Sequence, residues 1–129
     1  MWSVIVDNLV HAPRFSGPLE GATHEGVAGD PGEGPHLRLW LRMDGDHILH
    51  AAYHTYGCPA AIASGEMLCL LLVGRTRAQA QRLTVSDLIR VLGGLPAGKE
   101  HCPQLALSAL NKCLAARPRD AAATEEIRS

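Results

Sequence analysis

The pattern of apolar and polar residues changes within the stretch Tyr56-Gly57-Cys58-Pro59-Ala60-Ala61-Ile62-Ala63-Ser64-Gly65. Apolar and polar residues alternate before it, as in strands, and an apolar run typical of a buried helix follows it. Proline fits the first turn of a helix and disfavours helical geometry in the preceding residue. We therefore predict that Cys58 is the N-cap of a helix over 59–73. Free N–H groups and the helix dipole make a thiol at such a position easier to ionise.

A second Cys-Pro pair, Cys102-Pro103, opens a later helical pattern and directly follows His101. The pattern predicts a helix over 103–116, with Cys102 as its N-cap. Two thiols and one imidazole at helix starts suggest one shared site, and the alternative is two buried, inert cysteines. We expect the other two cysteines, Cys69 and Cys113, to pack in the core, because each lies among apolar residues.

Strand patterns precede Cys58. Residues 36–43 alternate strictly, 44–46 are Asp-Gly-Asp, and 47–56 form a second extended segment. This arrangement predicts a β-hairpin whose second strand leads to Cys58. A short additional strand is predicted over 23–28, within a stretch rich in glycine and proline.

Helix signals lie on both sides of these strands. The apolar segment 2–10 predicts an N-terminal helix, and two capping-box spacings, Thr76 with Gln79 and Thr84 with Asp87, predict two short helices. The predicted fold class is α+β, with a small antiparallel sheet of about three strands and helices packed on one face. We expect one domain over 1–118 and a disordered tail over 119–129, which is polar and rich in alanine.

Composition narrows the classes of function. The net charge is -1 and aromatic residues make up 4% of the chain, so we expect neither nucleic acid nor a membrane as partner. The longest apolar run, 67–73, is too short to span a bilayer, and no signal sequence opens the chain. We therefore expect a soluble cytoplasmic protein, in which cysteines serve metal binding or thiol chemistry more often than disulfides.

Three motifs resemble those of the NifU/IscU-type iron–sulfur cluster scaffold proteins. Tyr56-Gly57-Cys58 followed by Ala61-Ile62-Ala63-Ser64 resembles the central motif of that family, and Lys99-x-His101-Cys102 resembles its second motif. Pro13-Arg14-x-x-Gly17 resembles its N-terminal motif. The order and spacing agree over about 4–116, which implies the fold of that family.

The resemblance also implies a function. Such scaffolds take sulfur from a cysteine desulfurase, assemble a [2Fe–2S] cluster on three cysteines and pass it to recipient proteins, and many bind zinc at the same site. By resemblance, Cys58 and Cys102 are two of the three thiols and His101 is the neighbouring ligand. The chaperone-docking loop of the family, Leu-Pro-Pro-Val-Lys, corresponds here to Leu95-Pro96-Ala97-Gly98-Lys99. This difference weakens the expectation of an Hsp70-type partner.

The first cysteine of the family is missing from this chain. It belongs to a Gly-x-Pro-x-Cys-Gly-Asp motif, and the corresponding residues 29–35 place Glu33 at the cysteine and Pro35 at the aspartate. A shifted alignment instead uses Gly29-Asp30 as the Gly-Asp pair and leaves Ala28 at the cysteine. A carboxylate in place of a thiolate should weaken an iron–sulfur cluster, whereas zinc accepts Cys, His and carboxylate ligands together. The predicted cofactor is therefore zinc or an iron–sulfur cluster, on the ligand set Cys58, His101, Cys102 and Glu33.

Three functional hypotheses follow. The first is a scaffold-like carrier, not an enzyme, that binds metal and accepts sulfur from a desulfurase. The second is a degenerate accessory homologue that binds a partner or zinc without building clusters. The third is a Cys–His enzyme with Cys102 or Cys58 as nucleophile and His101 as base. We rank it lowest, because adjacent residues such as His101 and Cys102 seldom orient into a base–nucleophile pair.

Overall fold

The computed structural model describes residues 3–30, 32, 34–56 and 58–116. Its strands form one antiparallel sheet in the order β1-β2-β3, and the larger helices α2 and α5 contact the sheet and each other. The elements in chain order are α1 (Val4–His11), β1 (His24–Gly29), β2 (His36–Asp44), β3 (His47–Tyr56), α2 (Pro59–Leu72), α3 (Arg77–Gln81), α4 (Val85–Val91) and α5 (His101–Ala115). The predicted α+β class is confirmed.

The alternation of β2 sets which face of the sheet meets the helices. The residues at every second position from Leu37 to Met43 are buried, and the intervening residues from His36 to Arg42 are partly or fully exposed. Strand β2 pairs with β1 on one side and β3 on the other, with a register shift between Arg42 and Met43. The predicted hairpin is confirmed, and its apolar face contributes its side chains to the core.

Both predicted capping boxes are present. The Thr76 hydroxyl accepts a hydrogen bond from the Gln79 N–H at the start of α3, and the Thr84 hydroxyl accepts one from the Asp87 N–H at the start of α4. In each case the side-chain oxygen of the N3 residue accepts a hydrogen bond from the N-cap N–H. These reciprocal bonds satisfy backbone donors that a helix start otherwise leaves free.

The last helix begins earlier than the sequence pattern predicts. Helix α5 starts at His101, and its N-cap is Glu100. Cys102 therefore lies inside the first turn, and the prediction that it is an N-cap is wrong. Proline is tolerated in the first turn because the N–H groups there have no intrahelical partner. Pro103 consequently did not have to be the first helical residue.

The segment after α1 is fixed to the core by a buried carboxylate. Glu66 of α2 is 1% exposed and accepts hydrogen bonds from the backbone N–H groups of Arg14 and Phe15. Farther along, the Gly17 N–H donates to the Tyr53 carbonyl, and the Tyr53 N–H donates to the Phe15 carbonyl. The N-terminal motif thus pairs with β3 and with α2, which closes that edge of the sheet.

Two predictions concern parts of the chain outside the described residues. These are the disordered tail over 119–129 and the position of Glu33. Within the described ranges, Cys69 and Cys113 are fully buried in the core, as predicted. No helix there is long and apolar enough to cross a membrane.

Candidate thiol and metal site

The two Cys-Pro segments meet at one end of the sheet. Cys58 is the N-cap of α2, with an extended backbone (φ -81°, ψ 176°), and its carbonyl accepts hydrogen bonds from the Ala61 and Ile62 N–H groups. Its Sγ lies 3.9 Å from the Sγ of Cys102, which projects from the first turn of α5. The prediction that the two thiols share a site is confirmed, and their role as ligands stays a prediction.

The His101 imidazole contacts the second thiol. Its Nε2 lies 3.5 Å from Cys102 Sγ, and its Nδ1 lies 3.2 Å from the Gly98 carbonyl oxygen. When Nδ1 carries the proton and donates to Gly98, Nε2 is the acceptor that faces the thiol. The two neighbours are therefore in contact, although adjacent residues seldom orient into a base–nucleophile pair.

The two thiols differ in pKa. Partial burial raises the pKa of Cys58, but the Ala61 and Ala60 N–H groups, the Cys102 thiol and the Lys99 charge together lower that pKa below its ordinary value. Burial, followed by the charge and hydrogen bond of Cys58, raises the pKa of Cys102 to about 12. The prediction that both thiols favour the thiolate is thus correct for Cys58 and wrong for Cys102. One negative charge near two adjacent sulfurs disfavours a second.

A cavity of about 220 Å³ lies beside the thiols. Residues from both strands of the hairpin, both helix starts and the loop before α5 line this site cavity: Pro35, His36, Leu37, Thr55, Tyr56, Cys58, Ala61, Lys99, His101, Cys102 and Leu105. Both sulfur-bearing residues border it, so a small ligand in the cavity would be in reach of both thiols.

His36 is a lining residue that the sequence pattern did not indicate. The alternation of β2 places His36 on the polar face of the strand. Its ring stacks on the ring of Tyr56, with centroids 6.2 Å apart. Its Nδ1 lies 3.3 Å from the Gly34 carbonyl oxygen. The position directly after the 29–35 loop is the signal that could have identified it. Strand alternation alone does not distinguish a solvent-facing end from a cavity wall.

Comparison with known proteins agrees with this architecture. Residues 3–123 match the family model described as the NifU-like N-terminal domain. This chain belongs to the NifU-like N-terminal domain family. The match includes both thiols and all the secondary structure elements, so the sequence resemblance to that family is confirmed.

Two relatives illustrate the range of proteins that contain this NifU-like domain. The chain is 32% identical over 114 residues to the iron–sulfur cluster assembly scaffold protein IscU 1 of Archaeoglobus fulgidus, covering 88% of this chain and 74% of the relative. It is 39% identical over 110 residues to the bifunctional protein NifU/MnmA of Rubrobacter xylanophilus, covering 84% of this chain and 22% of the relative. The domain therefore corresponds to most of the first relative and to a small part of the second.

A solved structure supports the fold of this NifU-like domain. The crystal structure of a candidate iron–sulfur cluster assembly scaffold for the SUF system of Fervidobacterium islandicum superposes with a TM-score of 0.70. The alignment covers 88% of this chain and 96% of that protein at 18% sequence identity. At this identity the likeness establishes the fold and leaves the chemistry to be argued from the residues.

The position of the missing family cysteine depends on the alignment. Ala28 is buried in β1, opposite Leu37, and is not among the residues that line the site cavity. Pro35 lines that cavity directly. These positions favour the alignment that places Glu33, rather than Ala28, at the family cysteine, while Glu33 itself lies outside the described residues.

The donor types at the site suit zinc or iron, but the described side chains do not form a complete ligand set. Two thiols and one imidazole are ligands that zinc and iron–sulfur sites use. Among residues 3–30, 32, 34–56 and 58–116, however, no group of three His, Cys, Asp or Glu side chains is arranged to hold a metal ion. In the NifU-like domain, binding therefore requires these side chains to rotate or a further ligand to join them.

Proposed function

We propose that this NifU-like domain is an iron–sulfur cluster assembly scaffold-like carrier that binds zinc, iron or a [2Fe–2S] cluster through Cys58, His101 and Cys102. In this proposal it accepts sulfur from a cysteine desulfurase and serves iron–sulfur recipient proteins. The observation that carries the proposal is the 3.9 Å approach of the two thiols beside a cavity that both residues line. The names of the IscU and NifU relatives support it.

The ligand set in this proposal includes a carboxylate. Cys58 and Cys102 contribute thiolates once a metal displaces their protons, His101 contributes an imidazole, and Glu33 takes the place of the missing cysteine. Zinc tolerates this mixture with four ligands, whereas iron–sulfur clusters are normally held by thiolates. We therefore propose that zinc is retained better than a [2Fe–2S] cluster, with at most one metal ion per chain.

Lys99 adds a positive charge to the same wall of the site cavity. Together with the N–H groups of Ala60 and Ala61, it stabilises negative charge on Cys58. A site that carries sulfide or thiolate-bound metal gains from such donors, because they offset the charge of its sulfur ligands. This feature suits a carrier that needs no catalytic base.

A second candidate is a degenerate accessory homologue that accepts sulfur or binds a partner protein without building clusters. The observation that favours it is the absence of a complete three-ligand group among the described residues, together with glutamate at the position of the family cysteine. In that case the thiol pair is retained, but the chain does not hold a cluster.

Metal and sulfide analysis of the full chain tests these proposals. After anaerobic purification, the carrier should contain up to one zinc or iron per chain, and His101→Ala should lower that content. His54→Ala is the matched control, because His54 is an exposed imidazole on β3 that does not line the site cavity. A full complement of iron and sulfide that survives aerobic purification would contradict the preference for zinc. No metal after incubation with zinc or iron would contradict the carrier and leave the accessory homologue.

A further inference from the structure

We infer that His36 is a metal-receiving ligand: its imidazole binds an incoming divalent ion and delivers that ion to Cys58 and Cys102. The inference rests on the proposed function in one respect, because it treats zinc or iron as the cargo of the site. It adds a residue and a route, since neither the family resemblance nor the proposed ligand set includes His36.

A second cavity adjoins the site cavity on the side of β2 and β3. This outer cavity, of about 390 Å³, is lined by Gly32, Gly34, His36 and Tyr56. Gly32 and Tyr56 are exposed, whereas Cys102 in the site cavity is 3% exposed. Of the residues that the structure describes, His36 and Tyr56 line both cavities. An ion that moves from solvent through the outer cavity toward the thiols therefore passes these two side chains.

The opposite approach to the thiols is less favourable for a cation. The loop before α5 contributes Lys99 to the wall of the site cavity. Its positive charge repels a divalent ion that approaches from that side, and this repulsion is weakly screened at short range. The neutral imidazole of His36 imposes no such barrier, so the outer cavity is the preferred route.

The His36 ring presents one nitrogen that is suited to a metal. Its Nδ1 lies 3.3 Å from the Gly34 carbonyl oxygen. Because a carbonyl can only accept, Nδ1 carries the proton in this hydrogen bond and Nε2 keeps its lone pair. His101 has the same arrangement with the Gly98 carbonyl. Metal-binding histidines commonly donate their second ring N–H to a backbone carbonyl, which fixes the tautomer that the metal requires.

Contacts within the sheet fix the position of the His36 ring. His36 lies directly opposite Tyr56 on β3, and the two rings stack with an angle of 11° between their planes. The ring of His54 lies 6.0 Å from that of His36, and the Thr55 hydroxyl donates to the His36 carbonyl at 2.7 Å. A ring held in this way loses little conformational freedom when it binds an ion. Of the two side chains that both cavities share, imidazole is a usual zinc ligand and phenol is not.

His36 and the two thiols act in succession. Among the described residues, no three His, Cys, Asp or Glu side chains converge to hold an ion together. His36 Nε2 first replaces a water molecule on the ion. Cys58 and Cys102 then replace His36 and further waters, and each thiol releases its proton to solvent as it binds. The charge balances, because two protons leave for the two thiolates that the ion gains.

The first test measures how fast the thiols acquire a metal. The reduced, metal-free full chain is mixed anaerobically with Co²⁺, and the thiolate-to-cobalt absorption is followed by stopped flow. His36→Ala should gain this absorption at least about tenfold more slowly than the wild-type chain, because no donor holds the ion next to the thiols. The final absorption should match the wild-type value, since Cys58, Cys102 and His101 are intact.

Two variants serve as controls for the rate. His50→Ala is the matched one, because His50 is an exposed imidazole of β3 that lines neither cavity. Tyr56→Phe keeps the ring stacked on His36 and removes the phenol oxygen. Both variants should load cobalt at the wild-type rate, which would assign the effect to the imidazole at position 36.

A second measurement observes His36 in the absence of the thiols. In the Cys58→Ser/Cys102→Ser chain, Co²⁺ should broaden the imidazole NMR signals of His36 at a lower concentration than those of His50. Adding His36→Ala to the same chain identifies which signals belong to His36. This measurement also decides the matter if His36→Ala alone does not fold.

Two results would overturn the inference. One is a His36→Ala chain that gains the cobalt–thiolate absorption at the wild-type rate. The other is a double-serine chain in which the His50 signals broaden at the same concentration of Co²⁺ as those of His36, or at a lower one. A wild-type chain with no cobalt–thiolate absorption at all would contradict the proposed function and the delivery step with it, while the NMR signals would still show whether His36 receives the ion.

Discussion

The buried Glu66 carboxylate holds the backbone of Arg14, with Oε1 at 2.7 Å from its nitrogen. The other oxygen, Oε2, lies 3.0 Å from the nitrogen of Phe15. One side chain in the middle of α2 therefore anchors the segment that pairs with β3. Hydrogen bonds to a charged acceptor contribute about 1.5–3 kcal/mol each, and a buried donor left without its partner adds a penalty.

We predict that Glu66→Ala lowers the free energy of unfolding by about 3 kcal/mol or more, because both N–H groups lose their acceptor. Glu66→Gln should cost about half as much, since one amide oxygen remains. Glu20→Ala, at an exposed carboxylate, is the control and should stay within about 0.5 kcal/mol of the parent. Urea denaturation followed by circular dichroism measures all three, and equal midpoints for Glu66→Ala and Glu20→Ala would contradict the anchoring role.

Gly26 allows β1 and α5 to approach each other closely. A Cβ atom at this position would lie 2.5 Å from the backbone nitrogen of Cys113 and in overlap with the Ala109 carbonyl oxygen. Backbone atoms cannot rotate away as side chains can, so the helix would have to shift from the sheet. Position 26 of β1 thus requires glycine for packing rather than for its backbone angles.

We expect Gly26→Ala to lower the free energy of unfolding by about 2–3 kcal/mol through this overpacking. Gly34→Ala is the matched control, because an added Cβ there meets open space. Thermal unfolding of both variants against the parent gives the comparison. A Gly26→Ala protein as stable as Gly34→Ala would show that α5 moves away from β1 at no cost.

Local sequence patterns identified most of the fold, and the deviations arose where tertiary contacts decide. Strict alternation over 36–43 and the Thr76 and Thr84 capping boxes involve neighbouring residues only, so they could be predicted from the sequence. The start of α5 could not be predicted in this way, because Pro103 is compatible with either the first or the third helical position.

The site shows the same division between local and tertiary effects. The N-cap role of Cys58 follows from Pro59 alone, and the structure confirms this role. The raised pKa of Cys102 depends on burial and on the charge of a residue 44 positions away, which no local pattern contains. For the same reason the sequence assigned His36 to a strand face, although it lines the site cavity.

We predict that a limiting dose of iodoacetamide labels Cys58 before any other cysteine in the metal-free chain. Its lowered pKa means that the thiolate is already present at a pH where an ordinary thiol is mostly protonated. The rate at Cys58 should therefore level off at a lower pH than that of a free cysteine. Cys102 should react only at strongly alkaline pH, and Cys69 should remain protected by burial, which raises its pKa. Peptide mapping across a pH series gives each rate.

Lysine variants test the cause of that reactivity. Lys99→Ala should raise the pKa of Cys58 only slightly, because a partly solvated charge is screened. Lys112→Ala is the control: it removes the other lysine of the chain, which is exposed near the end of α5. Should Cys102 be labelled first at neutral pH, or both lysine variants shift the profile equally, the assignment of Cys58 as the thiolate is wrong.

The last prediction concerns Glu33, which the family resemblance aligns with the first cysteine of the family. Pro35 and His36, which follow it closely, line the site cavity, so a ligand from this loop would have a short path to Cys58 and Cys102. Glu33→Cys should increase retention of iron and sulfide after chemical reconstitution, because a third thiolate replaces a hard carboxylate ligand. Glu33→Ala should weaken zinc binding about 10–100-fold if the carboxylate contacts the metal or orients a ligand.

Glu20→Cys and Glu20→Ala are the matched controls, since Glu20 is exposed and does not line the cavity. Absorption spectra after desalting report the cluster, and competition with a zinc indicator reports affinity. Equal zinc affinity in Glu33→Ala and the parent would remove Glu33 from the ligand set, and equal cluster retention in Glu33→Cys and Glu20→Cys would show that an added thiol at position 33 does not complete the site.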